Sequence, residues 1–141
     1  MTAPNTSPVF TLTPNTVTAS GGTTPNTASD GSGTLVTLFT AGPQGSRVER
    51  ITATNAQVSA AASTANVIRV FLTDTSGNNP RLIAEAALPA ATRTTAVIGA
   101  TVTITFLNGI SLASGQLLKV CQAVYAGVQD LTHFVAYGGD F

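Results

Sequence analysis

The sequence predicts an all-β fold: an antiparallel β-sandwich, with a jelly roll as one topology open to it, preceded by an extended N-terminal arm. Three observations carry that expectation. Beyond Gly33 the chain breaks into short β-branched segments whose apolar and polar residues alternate, the period-2 signature of half-buried strands. Clusters of Gly, Asn, Asp, Ser and Pro separate those segments at short intervals. The competing stretch is Ala56–Ala65, rich in the best helix former, but Ser and Thr interrupt it and leave a loop or a single turn.

The segments run in order. Thr34–Ala41 is a strand that ends at the turn Gly42-Pro43-Gln44-Gly45, and Arg47–Asn55 sets Ile51 and Ala53 against Arg50, Thr52 and Thr54. Ala65–Asp74 is the strongest strand, rich in Val, Ile and Phe. It runs into the loop Thr75–Pro80, with Arg81–Leu88 as its antiparallel hairpin partner. Further strands are expected at Ala100–Leu107, Leu117–Tyr125 and Thr132–Tyr137. In the first of these, Val102, Ile104 and Phe106 face one way and Thr101, Thr103 and Thr105 the other.

Residues 1–33 differ from the rest, so the expected division is an arm over 1–33 and a sandwich over 34–141. The arm is Thr, Pro, Asn, Ser and Gly, with Asp30 its one charged side chain, and Pro-Asn-Thr recurs at Pro4, Pro14 and Pro25. Proline fixes φ and lacks an N–H, which excludes helix and central strand. Ordering about 30 residues costs on the order of 30–60 kcal/mol of backbone entropy. Burying Val9, Phe10, Leu12 and Val17 returns only roughly 6–12 kcal/mol. The arm therefore either stays mobile or pairs its backbone with a sheet edge and spreads over a partner, and the partner-bound arm is the expectation because Val-Phe-Thr-Leu suits a solvated tail poorly. Val9–Thr13 is the segment suited to that pairing. Val9, Phe10, Leu12, Val17 and the terminal Phe141 are the expected partner-binding residues.

Composition narrows the function. Charged residues make up 9% of the 141-residue chain, far below the roughly 25% usual in soluble domains. Six basic and six acidic side chains balance to zero. Such a surface suits standing contact with other protein better than life as a dilute monomer. Arg47, Arg50, Arg69, Arg81, Arg93 and Lys119 are scattered singly, and nucleic-acid binding needs clustered cations. No apolar stretch approaches the ~20 residues of a membrane span, and the first residues lack the pattern of a signal peptide. Cys121 stands alone, so no internal disulfide is expected, and its neighbours mark it as a buried small hydrophobe. These features point to a reducing cytoplasm as the place of synthesis.

Chemistry is not legible. His133, the one histidine, sits inside an alternating strand, and no Gly-x-Ser-x-Gly elbow accompanies it. Asp30, Glu49, Asp74, Glu85, Asp130 and Asp140 carry no catalytic motif and read as solvated surface carboxylates. One Cys and one His are too few for a zinc site. The oxygen-rich Asp74–Asn79 lacks the closing acid of a calcium loop and reads as a turn. The expectation is a non-enzyme with no catalytic residues, no cofactor and no metal. A carbohydrate-binding sandwich is the outside alternative, unsupported because sugar platforms favour Trp and the chain has none.

Arg47-Val48-Glu49-Arg50-Ile51, Ile68–Asp74, Arg81-Leu82-Ile83-Ala84-Glu85, Ile110–Gly115 and the closing His133–Phe141 with its Gly-Gly-Asp-Phe end follow one another in this order. In that order they resemble small virion structural proteins of tailed bacteriophages, of the capsid decoration or cement kind. The likeness covers about two-thirds of the chain and leaves out the arm and Ala56–Ala65. It implies a homo-oligomer, a trimer by preference, that binds the major capsid protein or other virion proteins. It implies residence in the virion, at the capsid surface, after assembly in the cytoplasm of a bacterial host. A tail, neck or fibre-base protein is the alternative within the same resemblance. It supplies no catalytic residues.

Overall fold

Among the described residues, eight strands form where β-branched and aromatic residues alternate with Thr, Ser and Arg. A computed structural model describes residues 11–56 and 61–141. In chain order the strands are β1 Thr13–Ser20, β2 Val36–Thr40, β3 Ser46–Asn55, β4 Asn66–Leu72, β5 Arg81–Leu88, β6 Thr101–Leu112, β7 Leu117–Gln122 and β8 Thr132–Asp140. A single 3₁₀ turn at Val128–Asp130 precedes β8.

The strands make two four-stranded antiparallel sheets. Sheet A has the order β1-β8-β3-β6 and sheet B the order β2-β7-β4-β5. Each of the seven connections leaves one sheet for the other, except the β4–β5 hairpin. That pattern is the eight-strand jelly roll. The inner faces share one core, in which Ile51, Val48 and Phe134 of sheet A meet Ile68, Val70, Leu118 and Val120 of sheet B, all fully buried. On β6 the inward row Val102, Ile104 and Phe106 is only half-buried, because β6 is the edge of its sheet.

The expected boundary at residue 33 is corrected. Residues 13–20 are β1, paired residue for residue with β8 from Thr13 opposite Asp140 to Ser20 opposite His133. Val17 and Ala19 face inward and pack against the core. Pro14 is tolerated because β1 is an edge strand near its start. The backbone pairing expected of the arm thus takes place within its own domain. Leu12 extends it, donating its N–H to Asp140 O at 2.8 Å. Val9 and Phe10 lie outside the described residues.

The rest of the arm folds over the outer face of sheet B, held by Asn26. The Asn26 Nδ2 donates to Ser32 O (2.8 Å) and Thr34 O (3.0 Å), and its N–H donates to Gln122 O (2.9 Å). Asn26 O lies 3.9 Å from Cys121 Sγ, and the buried thiol is covered there. Asn15, in the preceding Pro-Asn-Thr, reaches Asp140 Oδ2 at 3.3 Å. The repeated Asn is therefore a latch, placed where the chain must fasten a loop to a strand.

Two other expectations need correction. β6 does not stop at Leu107; it continues to Leu112 through an irregularity opposite Glu49, where Asn108 and Gly109 take positive φ values of 63° and 72°. Asn-Gly marks a bulge here and not a chain reversal. Asp130 is not a solvated carboxylate: it is buried, and its two oxygens accept from Thr64 N (2.7 Å) and Ala126 N (2.8 Å). Asp140 is half-buried and accepts from Ser46 Oγ. Of Ala56–Ala65, residues 57–60 lie outside the described part, and Ala62 bridges to Thr92.

Two measurements test this arrangement. Deleting residues 1–20 removes β1 and leaves β8 as a raw edge, so the melting temperature should fall by about 10 °C or more. A truncated chain that melts with the wild type would mean that β1 is dispensable. Burial pushes the Cys121 thiol above its ordinary pKa. A thiol reagent should label the folded chain far more slowly than the denatured one, and equal rates would contradict the covering by the Asn26 loop.

Candidate interaction surface

The outer face of sheet A is built by register. Three rungs cross all four strands: Thr16–Tyr137–Arg50–Thr105, Thr18–Val135–Thr52–Thr103, and Ser20–His133–Thr54–Thr101. Period-2 alternation puts these side chains opposite the core residues Val17, Ala136, Ile51 and Ile104. The face is a sheet of Thr and Ser around a central column of Tyr137, Val135 and His133. Hydroxyls meet across it: Thr101 Oγ1 donates to Thr54 Oγ1 at 3.1 Å. Its one charge within these rungs, Arg50, lies with its guanidinium carbon 4.3 Å from the Tyr137 ring centroid, a cation–π contact.

The lower end of the face is shaped by the closing Gly-Gly. A side chain at Gly138 would stand 2.3 Å from Arg47 O, and one at Gly139 would stand 2.6 Å from Thr11 Cβ. Glycine at both positions lets β8 pass between β1 and β3 and leaves a shallow cleft of about 330 Å³, bordered by Arg47, Glu49, Arg50 and Tyr137. Arg47 Nε and Glu49 Oε1 lie 2.7 Å apart beside it, so Arg47 is neutralised locally.

Among the described residues, the expected partner-binding residues Leu12, Val17 and Phe141 do not form one patch. Leu12 is 82% exposed, and Phe141 is half-buried with its N–H on Gly45 O at 3.2 Å. Both adjoin Asp140 at one end of sheet A. Val17 is committed to the core. Elsewhere, large apolar side chains stand in solvent at Leu107 (90%) and Ile98 (88%), with Val97 and Val128 over half exposed. The loop that raises Val97 and Ile98 is preformed: the Thr94 Oγ1 accepts from Ala96 N and Val97 N at 3.2 and 3.0 Å. Sequence reading missed this surface. The alternation of Thr52/Thr54 and Thr101/Thr103/Thr105 is legible, but not that these strands lie side by side.

The titratable groups serve loops. Asp74 accepts from Ser76 N, Asn78 N and Asn79 Nδ2, closing the β4–β5 turn. Asp30 accepts from Ser32 N and Ser32 Oγ. His133 is exposed on the face. Asp140 lies at the far end of the same strand, roughly 24 Å away at ~3.4 Å per residue, and Asp130 is occupied by backbone donors. Among the described residues, no group of three or more His, Cys, Asp or Glu could hold a metal ion.

Hydrogen bonds from Ser32 hold the Asp30 carboxyl below its usual 3.8, and the Asn78 N–H foremost does the same for Asp74. Depressed carboxyl pKa values stabilise the fold above the unfolded value and lose that contribution as pH falls through the folded one. Stability should therefore decline as pH drops below 3.8. The Asp30→Asn/Asp74→Asn double variant should show a shallower decline in acid titration followed by circular dichroism. An unchanged slope would place the acid sensitivity elsewhere. Comparison with protein-family models, with curated proteins and with solved structures found no match for this chain.

Proposed function

We propose that this chain is a non-enzymatic structural protein of a bacteriophage particle, a capsid decoration protein that cements the head by packing against neighbouring coat subunits and against copies of itself. One observation carries the reading: the outer face of sheet A is a broad, Thr-lined surface whose central rungs hold a single charge, itself stacked on Tyr137. Threonine presents a methyl group and a hydroxyl together. A sheet of Thr can exclude water against another protein while each hydroxyl finds a partner, and it stays wettable when free. Interface centres are depleted in charge, as this face is.

Support also comes from how the face is held. Its two central strands, β3 and β8, have fully buried inner side chains, so the face docks as a rigid plate and loses little conformational entropy. Sheet B, by contrast, carries the Asn26 loop on its outside. Viral coat domains are among the users of the jelly roll, although a fold by itself names no function. Cementing needs no reaction: modest contacts repeated by the symmetry of a shell add through effective concentration.

Particles assembled without this chain should rupture at a lower temperature than complete ones, and adding back the purified chain should restore them. Thr52→Lys puts a cation at the centre of the face. It should leave the fold intact, because outward surface substitutions stay within about ±0.5 kcal/mol, yet fail to restore the particles. Rupture temperatures that do not depend on the chain would sink the cementing role.

A further inference from the structure

We infer that β6 is a seam through which two copies of this chain join edge to edge, antiparallel, so that sheet A runs on across a twofold axis at Thr103. This deepens the reading above, in which copies pack together, by naming the self-contact. Asn55 N donates to Ala100 O at 2.8 Å, which fixes the phase of the β3–β6 ladder. In an antiparallel pair, bonded residues alternate with unbonded ones. Ala100, Val102 and Ile104 therefore bond toward β3, and Thr101, Thr103 and Thr105 turn their N–H and C=O groups to the free edge. Among the described residues nothing pairs with that edge.

Free edges invite pairing, and folds blunt them with charge, proline, bulges or brevity. The other three edges of this sandwich are blunted. β1 carries Pro14, β2 is a five-residue strand broken by a bulge, and β5 carries Arg81 and Glu85. β6 has none of these over Thr101–Thr105, where its pairing with β3 is regular, and no charged residue occurs from Ala100 to Leu118.

The occupant that fits is a second β6. A twofold axis at Thr103 sets Thr103 opposite its own copy and Thr101 opposite the other Thr105, so the hydroxyl rows of the outer face continue from one copy to the next. On the inner side it sets Val102 against Ile104, both half-buried where the neighbouring Ile51 and Ala53 are sealed. Leu107 and Ile98, the most exposed large apolar side chains among the described residues at 90% and 88%, flank the regular stretch of this edge along the chain.

The test is sedimentation of the full chain across concentration, with circular dichroism and melting to monitor the fold. Thr103→Pro removes the outward N–H without touching the β3 ladder, as edge strands tolerate. Thr103→Lys sets two like charges face to face. The wild type should form a dimer, and each folded variant should raise its dissociation constant at least tenfold, on the order of the loss of a bonded rung. If the proline variant does not fold, the lysine variant decides. Wild-type dimers that persist in the folded variants, a trimer, or a monomer at concentrations on the order of 100 μM would overturn the seam. A wild-type monomer that still restores shells sinks the seam alone, whereas dimers through β6 that leave shells unchanged sink the cementing role alone.

Discussion

The fold depends on the last strand being inserted between two earlier ones. β8 lies between β1 and β3, so neither half of sheet A is complete until the C-terminal residues arrive. The approach is close, and it explains the terminal sequence. Gly138 passes the β3 backbone where any Cβ would collide with Arg47 O, and Asp140 then accepts from Ser46 Oγ and Asn15 Nδ2. The closing Gly-Gly-Asp thus has a structural reason. It joins β1 and the end of β8 to β3. Contacts of such long sequence separation form late and slowly, since loop closure comes first.

Much of the sandwich was legible. β5 occupies Arg81–Leu88 as expected, and β3, β4 and β7 differ from expectation only at their ends. These strands carry Val, Ile, Leu and Phe in clear alternation, so burial and pattern agree. β1 was missed because its inward row, Asn15, Val17 and Ala19, holds one bulky apolar side chain, and because Pro14 suggested irregular chain. Its period-2 alternation is present all the same. At an edge a strand needs only one partner, and a weak pattern is enough. β6 was cut short because Asn-Gly signals a hairpin turn as well as a bulge, and local sequence does not separate the two.

The Thr-lined outer face was less legible for a deeper reason. Whether Thr52 and Thr103 are neighbours depends on β3 pairing with β6, a non-local register that no window of sequence contains. The sequence does hold each row of the face: Thr52 with Thr54, Thr101 through Thr105, Thr16 with Thr18. It does not hold their order. The same limit applies to Val17. As part of an isolated arm it is a contact residue, and as part of β1 it is core.

The low charge has a second consequence. The ionised side chains present are largely engaged within the chain: Arg69 with Glu85 at 2.7 Å, Arg47 with Glu49, Arg50 on Tyr137, Lys119 Nζ on Gly77 O, and the aspartates on loop donors. Little field is left to reach beyond a Debye length of ~8 Å. Encounters with a partner then proceed at the unsteered rate of roughly 10⁵–10⁶ M⁻¹s⁻¹ and respond weakly to salt. A protein that must find its partner fast in dilute solution gains from steering charges. One that is made in quantity beside its binding sites, and then must hold through changes of ionic strength, gains from a face of Thr and an edge of bare backbone. Among the described residues the few charges are spent internally, and the weak outward field follows from where they are placed as much as from how few there are.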